Sequence, residues 1–126
     1  MTHMKKNILV VDDSALMRRV MCDIINSDSK FQATDYCRDG LEAYEKLKHT
    51  SYDGVVLDVN MPRMDGLQLL EKLQKEGIRA NVVMVSTLTD SREADVTILA
   101  MERGAIDFVA MPTNIREARG AAFNRQ

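Results

Sequence analysis

The chain has 126 residues, of which 45% are hydrophobic and 29% charged, and a formal net charge of −2. This length suits one domain with its own core, and the charge argues against binding to nucleic acid, which needs a basic field. No stretch approaches the roughly 20 apolar residues of a membrane span. Since the N-terminus also lacks a secretory signal, we expect a cytoplasmic protein that binds no membrane, with Cys22 and Cys37 as free thiols.

Five short β-rich runs recur along the chain and are separated by helical patterns. The runs are residues 7–11, 31–37, 54–58, 81–86 and 106–110. Three of the five are almost continuously apolar. Such runs are typical of central strands in a parallel sheet that is covered on both faces.

The first predicted helix presents one apolar face, which we expect to pack on the sheet. Asp13 and Ser14 precede this helix and are its candidate N-caps. The residues of the face follow the spacing of helix turns: Met17, Val20, Met21, Ile24 and Ile25.

Four more helical segments follow. The second begins after Asp39 and Gly40, and the third begins after Gly66 and ends at Gly77. Their apolar faces are predicted to be Leu41, Tyr44 and Leu47 in the second and Leu67, Leu70 and Leu73 in the third. The fourth, over about residues 90–103, has apolar residues off any single stripe and could face a partner. A fifth is predicted from about Asn114.

This alternation predicts an open parallel sheet with helices on both faces, because parallel strands need crossover connections, which are right-handed. In such sheets ligands bind beyond the carboxyl ends of the strands, at the point where the strand order reverses. Asp12, Asp13 and Asp58 lie at strand ends. If the first and third strands are neighbours, the three carboxylates converge in one shallow cleft.

Three convergent carboxylates predict a site for a hard divalent cation. Crowded carboxylates have raised pKa values unless a cation neutralises them. Mg²⁺ prefers oxygen ligands and often combines carboxylates with a phosphate, whereas the absence of His and Cys from these motifs argues against zinc. A single aspartate after a strand is commonly a cap or a solvated end, so the prediction depends on all three. Ser86 ends the fourth strand at the same edge, and its hydroxyl either donates a hydrogen bond to a phosphoryl oxygen or belongs to an ordinary turn residue.

Several motifs together resemble the response regulator receiver domain of two-component systems, over nearly the whole chain. They are the acidic pair after the first strand, "LDVNMPRMDG" around Asp58, the hydroxyl ending the fourth strand and "GAIDFVAMP" at the fifth. Within that family, "VVDDSALMRRVM", "CRDG", "VVMVSTLT" and "AMERGAIDFVAMP" are most similar to the N-terminal receivers of chemotaxis methylesterases. The resemblance implies an α/β, flavodoxin-like (βα)5 doubly wound sheet with strand order 2-1-3-4-5. It also implies a single receiver domain over residues 1–126, with the output domain absent from this chain.

The resemblance implies that Asp58 is a phosphoacceptor that takes its phosphoryl group from a histidine kinase or a small acyl phosphate. Asp13, Asp58 and the backbone carbonyl of Asn60 would bind Mg²⁺ directly, and Asp12 would act through a bound water.

Two further residues would transmit the phosphorylation signal. Ser86 would move to the phosphoryl group, and Phe108, at the family's switch position, would turn inward; a fixed sheet aromatic is the alternative for Phe108. The surface affected would be the fourth helix, fifth strand and fifth helix, which would contact an output domain or protein partner.

Met111 departs from the family pattern, which places a lysine before the proline that follows the fifth strand. Methionine has neither the charge nor the donor of that lysine. Three accounts stay open: a degenerate receiver, a deliberate change, or substitution by another cation such as Arg63. We expect Asp58 still to accept a phosphoryl group, with weaker coupling to Phe108. The resemblance implies a cis peptide bond before Pro112, although sequence alone favours trans.

Other functional classes fit less well. A phosphohydrolase with a strand-end aspartate nucleophile needs a second carboxylate two residues on, where this chain has Asn60. Glycine-rich nucleotide-binding motifs are absent. We therefore expect no enzymatic turnover of an external substrate. A pseudo-receiver that binds a partner without phosphorylation stays an alternative because of Met111.

Overall fold

The computed structural model describes residues 5–86 and 92–110, without the side chains of residues 92 and 93. Within these ranges, strands and helices alternate as β1 (Lys6–Val11), α1 (Ala15–Asn26), β2 (Phe31–Cys37), α2 (Gly40–His49), β3 (Gly54–Asp58), α3 (Gly66–Lys75), β4 (Val82–Ser86), α4 (Arg92–Glu102) and β5 (Asp107–Ala110). The predicted strand bounds hold to within one residue. Met111, Pro112 and the helix predicted from about Asn114 lie outside the described residues.

The strands form one parallel sheet in the order β2-β1-β3-β4-β5. This order confirms the flavodoxin-like fold that was expected. The order reverses beside β1, because the chain first adds β2 on one side and then returns to add β3 on the other. The carboxyl ends of β1 and β3 are therefore neighbours at the switch point, where Val11 pairs with Leu57.

The core lies on the central strands, as their continuous apolar runs predict. Leu9, Leu57 and Met84 are completely buried beneath α2 and α3 in the larger apolar cluster. A smaller cluster on the other face joins Val10 and Val85 to α1. Burial on both faces makes the central sheet rigid, so the residues at its carboxyl edge start from fixed positions.

Two residues placed on buried helix faces by their spacing are in fact exposed. Ile24 of α1 has an exposed fraction of 52%, and Leu41 in the first turn of α2 has one of 37%. The prediction that both pack on the sheet is wrong. Helical spacing shows which residues share a face, whereas burial also requires a neighbouring element at that height of the helix.

The helix starts match their local signals. Ser14, and not Asp13, caps α1, since its Oγ accepts a hydrogen bond of 3.2 Å from the amide of Met17. Cys22 and Cys37 are free thiols. Among the described helices, none combines the length and apolarity needed to cross a bilayer.

Candidate functional site

The structure brings Asp12, Asp13 and Asp58 together at the carboxyl edge of the sheet. Asp12 and Asp13 follow β1, and Asp58 is the last residue of β3. Because Val11 pairs with Leu57, the residues after them reach the same level of the sheet. One carboxylate oxygen from each aspartate lies within 4.8 Å of the others. The convergence expected from the strand order is therefore present.

Burial and mutual repulsion raise the pKa of two of these carboxyls. The pKa of Asp58 is raised to about 7, first by burial and then by the charges of Asp12 and Asp13. The pKa of Asp12 is raised to about 6, mainly by burial, although the amide of Ser14 donates to its Oδ1 at 2.9 Å and lowers it. The ionised cluster is therefore costly without a cation, as expected for crowded acids.

A shallow cleft of about 320 Å³ opens above these carboxylates. It is lined by Asp12, Asp13, Ser14, Met17, Asp58, Asn60 and Val85. The donors in this lining are carboxylate, amide and hydroxyl oxygens, with neither His nor Cys among them. Such a donor set fits a hard cation of the Mg²⁺ type and does not fit zinc.

The loop between β3 and α3 carries Asn60 and is closed on itself. The amide of Gly66 donates to the carbonyl of Val59 at 2.8 Å, and the amide of Val59 donates to the carbonyl of Val85 at 3.3 Å. Asp65 caps α3 and completes a capping box at the same point. These bonds hold the start of α3 against the end of β3, with Asn60 in the loop between them.

Ser86 and Phe108 occupy different environments. Ser86 is buried at the end of β4, one residue beyond Val85, which pairs with Asp58. It therefore lies at the same edge as the acidic cluster. Phe108 lies on β5, where it pairs with Met84 of β4. It is half-buried and packs against the larger apolar cluster. Phe108 is not among the residues that line the cleft.

Arg63 does not line the cleft but binds Asp39. Its Nε and Nη2 donate to Oδ2 of Asp39 at 3.0 and 2.7 Å. A guanidinium held in this way is not free to contact a group on Asp58, which counts against Arg63 as the substitute for the lysine that Met111 replaces. Met111 itself lies beyond the part of the chain that the structure describes.

Sequence reasoning missed the interactions of two residues, Arg18 and Asp39. Arg18 donates from Nη1 to the backbone carbonyl of Asp12 at 2.9 Å, and its guanidinium lies 5.2 Å from the ring centre of Tyr36. Asp39 is buried and both caps α2 and binds Arg63. The position of Arg18, one helix turn after the cap at Ser14, was a usable signal for the first. Nothing local pointed to the pairing of Asp39.

Comparison with known families decides the classification. The family model described as the response regulator receiver domain matches residues 8–122. The chain belongs to the response regulator receiver family. The resemblance to receiver domains that was found in the sequence is therefore confirmed.

The receiver is similar to proteins of chemotaxis. It is 50% identical over 115 residues to the protein-glutamate methylesterase/protein-glutamine glutaminase of Escherichia coli strain K12, and the match covers 90% of this chain and 32% of that protein. It is 48% identical over 110 residues to the protein of the same name from Pyrococcus horikoshii, and that match covers 87% of this chain and 29% of the relative. The chain thus spans about a third of the length of these curated relatives.

Solved structures agree with this assignment. The response regulator domain of Thermotoga maritima CheB superposes with a TM-score of 0.79 at 34% identity, covering 97% of this chain and 93% of that one. A chain in a complex of CheX, CheY, BeF3 and Mg²⁺ from Borrelia burgdorferi superposes with a TM-score of 0.76 at 29% identity, covering 95% of this chain and 88% of that one.

The prediction that this protein is not an enzyme is wrong. The relatives that it matches are methylesterases and glutaminases, of which the receiver aligns with 29 to 32%. The prediction was drawn from the motifs of a receiver sequence alone. Those motifs describe the receiver chemistry and carry no information against a catalytic activity of the protein to which a receiver belongs.

Proposed function

We propose that this receiver is a phosphorylation switch that takes a phosphoryl group on Asp58 in a reaction that requires Mg²⁺. The observation that carries the proposal is the approach of three carboxylates, with oxygens within 4.8 Å of one another, at the switch point of the sheet. A cluster so crowded needs a cation, and a strand-end carboxylate facing an open cleft is suited to attack a small phosphorylated donor.

The residues of the cleft have separate roles in holding the cation. Asp13 and Asp58 would bind Mg²⁺ directly with the backbone carbonyl of Asn60, and Asp12 would act through a bound water. When bound, Mg²⁺ offsets the negative charge that would otherwise keep an anionic donor away from Asp58. The cluster's all-oxygen composition and the raised pKa values of Asp12 and Asp58 support this assignment.

Asp58 acts as the nucleophile. One of its carboxylate oxygens attacks the phosphorus of a phosphohistidine in a histidine kinase, or of a small acyl phosphate. The bond from phosphorus to the histidine nitrogen or acyl oxygen breaks, and its electron pair leaves with that group. An aspartyl phosphate and the freed leaving group result.

The signal would pass from Asp58 to the surface formed by α4, β5 and the segment after β5. Ser86 is placed at the same edge as Asp58, and Phe108 lies on the edge strand beside it. Ile98, Met101 and Val109 are exposed on α4 and β5 and provide apolar area for a partner. This surface would bind an output domain or a separate protein.

The organisation of the protein follows from the same proposal. Residues 1–126 act as one receiver domain, and the output domain is supplied outside this sequence. A cytoplasmic location, where a histidine kinase presents its phosphohistidine, accompanies this role. The similarity to methylesterases supports an output that takes part in chemotaxis.

Intact-mass measurement after incubation with acetyl phosphate tests the proposal. We expect one added phosphoryl group in the presence of Mg²⁺ and none after chelation or in Asp58→Asn. Asp65→Asn is a matched control, because asparagine caps α3 as well as aspartate does and Asp65 does not line the cleft. No addition to a wild-type protein that binds Mg²⁺ would overturn the proposal, as would full addition to Asp58→Asn.

A pseudo-receiver is the second candidate, and Met111 in place of the family's lysine favours it. Such a protein would bind its partner equally well whether or not Asp58 can react. Partner affinity that is the same for wild type and Asp58→Asn, with and without acetyl phosphate, identifies this alternative.

A further inference from the structure

The turn from Cys37 to Gly40, which joins β2 to α2, contacts both loops that carry the acidic cluster. On one side, the carbonyl of Cys37 accepts a hydrogen bond of 3.1 Å from the amide of Asp12. On the other, the amide of Gly40 donates to the carbonyl of Met64 at 2.9 Å. Residues from this one turn therefore touch the loop after β1 and the loop after β3.

The contact with the β3–α3 loop includes an ion pair between Asp39, which is buried, and Arg63, whose side chain is 59% exposed. The side chain of Asp39 is 9% exposed, and its Oδ2 accepts two hydrogen bonds from Arg63. Its Oδ1 accepts from the amide of Glu42 at 2.8 Å and so caps α2. Both carboxylate oxygens are therefore used. Charge-assisted hydrogen bonds of this kind are shorter than bonds between neutral groups, and the geometry of the guanidinium makes them directional.

The backbone of Arg63 shows that this pair is not incidental. Arg63 has a φ of 65°, in the left-handed region that glycine and asparagine adopt more easily than a long side chain does. A residue with an unfavourable backbone conformation persists where the surrounding contacts hold it. Here the bonds to Asp39 supply such contacts.

The backbone of the turn at Gly40 is also in direct contact with the backbone of the β3–α3 loop at Met64. A Cβ on Gly40 would lie 2.3 Å from the carbonyl oxygen of Met64, which is closer than real Cβ contacts. Glycine is therefore required at this position for the hydrogen bond from its amide to form. The turn and the loop are fitted to each other at Gly40 and Met64 as well as through the Asp39 and Arg63 side chains.

The loop is consequently held at two points on either side of the cleft residue. Gly66 fixes its far end through the bond to Val59, and the contacts of Arg63 and Met64 fix its middle. Asn60 lies between Val59 and Arg63 and lines the cleft. Loss of the middle contact would leave Asn60 on a loop anchored only at its ends.

We propose that Arg63 and Asp39 are positioning residues that hold Asn60 in register with Asp12, Asp13 and Asp58 for Mg²⁺. This inference rests on the function proposed above, because it assumes that the cleft binds Mg²⁺. The turn from Cys37 to Gly40 accepts the hydrogen bond from the amide of Asp12 and also binds Arg63 through Asp39. It therefore connects the loop after β1 to the loop after β3. Neither Arg63 nor Asp39 lines the cleft.

Two single variants separate this role from general stability. Asp39→Asn keeps the cap of α2, since asparagine caps as well as aspartate, but it removes the charge that binds Arg63. Arg63→Gly removes the guanidinium and at the same time relieves the backbone at a φ of 65°. Arg38→Gln is the matched control, because Arg38 is exposed in the same turn and pairs only loosely, at 3.9 Å, with Glu42.

Mg²⁺ affinity is the readout, and it needs no phosphorylation. The chain has no Trp, so the titration is followed through the amide NMR signals of Asp12, Asp13 and Asp58. We expect each single variant to bind Mg²⁺ roughly tenfold more weakly, the lower end of the effect seen when a partner behind a metal ligand is lost. The double variant should be no weaker than either single one, because both remove the same bond. Arg38→Gln should match wild type.

Hydrogen exchange in the metal-free protein gives a second, independent readout. The amide of Gly40 should exchange faster in Asp39→Asn and in Arg63→Gly, whereas the amide of Gly66 should not, because its bond to Val59 lies outside the ion pair. With Mg²⁺ at saturation, the rate of phosphorylation by acetyl phosphate should return to within about twofold of wild type, since the nucleophile is unchanged.

Several outcomes would overturn this inference. Wild-type Mg²⁺ affinity in both folded single variants would do so, and so would an equal loss of affinity in Arg38→Gln. If wild type binds Mg²⁺ and the variants weaken it as stated, the inference holds even when no phosphoryl group is ever added, in which case only the phosphorylation proposal fails. Absence of Mg²⁺ binding to the wild-type protein would overturn both.

Discussion

Gly66 and Asp58 are in such close contact that a Cβ on Gly66 would lie 2.3 Å from the carbonyl oxygen of Asp58. The first residue of α3 thus touches the last residue of β3, across a loop that returns on itself. The same Cβ would lie 2.9 Å from Cε of Met84. The methionine side chain can move, but the backbone of the central strand cannot without disturbing the acidic cluster.

Gly66→Ala should therefore destabilise the protein and impair phosphorylation together. We expect a loss of about 2 to 3 kcal/mol, as for other substitutions that overpack a rigid site, in urea unfolding. Gly77→Asn is the control, because no atom lies within 4 Å of a Cβ at Gly77 and asparagine tolerates its φ of 68°. Equal stability of wild type and Gly66→Ala would show that the loop can shift at little cost.

The metal-free protein should become more stable as pH falls from about 8 to about 5.5. The folded-state pKa values of Asp58 and Asp12 are raised to about 7 and about 6, above the unfolded value of an aspartate. The folded state therefore binds more protons than the unfolded state in this window. The stability contributed by these groups is complete below the unfolded pKa and is lost as pH rises through the folded pKa.

We expect the free energy of unfolding to increase by about 1 to 2 kcal/mol, after allowance for solvent screening of both carboxyls, as measured by thermal unfolding at several pH values in chelator. Asp58→Asn should remove most of the pH dependence, and saturating Mg²⁺ should reverse its sign. The acids with lowered pKa values affect stability only nearer pH 4 and do not interfere: Asp35, Asp39, Glu71 and Glu76. A metal-free protein that loses stability over this window would contradict the prediction.

Tyr44→Phe should loosen the contact between α2 and α3 without affecting phosphorylation. The hydroxyl of Tyr44 donates to Oε1 of Glu76 at 2.5 Å, and this bond is the main reason that the pKa of Tyr44 is raised to about 12. The ammonium groups of Lys48 and Lys72 lie 4.8 and 4.7 Å from the centre of its ring. We expect the midpoint of thermal unfolding to fall by a few degrees, because the bond is lost while the ring contacts remain.

Tyr36→Phe is the control for that measurement, since Tyr36 has an exposed fraction of 56%. It should unfold at the wild-type temperature. A fall of the same size in both variants would show that the bond to Glu76 adds nothing specific, and a loss of phosphoryl uptake in Tyr44→Phe would contradict the separation of this contact from the site.

Met111→Lys should strengthen the coupling between Asp58 and Phe108. A lysine would supply the charge for the phosphoryl oxygens that methionine lacks. We expect larger phosphorylation-dependent changes in the NMR signals of Phe108, with Met101→Lys, at an exposed position of α4, as the control for added charge. Unchanged signals at Phe108 in Met111→Lys would argue against a role for the residue at this position.

Much of the fold could be predicted because its signals are local. The apolar runs of the strands, the caps at Ser14, Asp39 and Asp65, and the chain reversal near Gly77 each depend on residues a few positions apart. The right-handed crossover rule and the receiver resemblance then ordered the strands. The exposure of Ile24 and Leu41 was not predicted, because their burial depends on which element lies over them and not on their spacing.

The candidate site divides in the same way. The sequence by itself determined that Asp12, Asp13 and Asp58 end two strands, since each acid follows directly on an apolar run, and a parallel sheet brings such ends to one edge. Only the tertiary structure decided that Arg63 binds Asp39, 24 residues away, and not a group in the cleft. The Arg63 side chain points to Asp39 because the backbones pack closely at Gly40 and because Arg63 has a φ of 65°. Both features depend on contacts between two loops that are distant in sequence, so local residue preferences do not predict them.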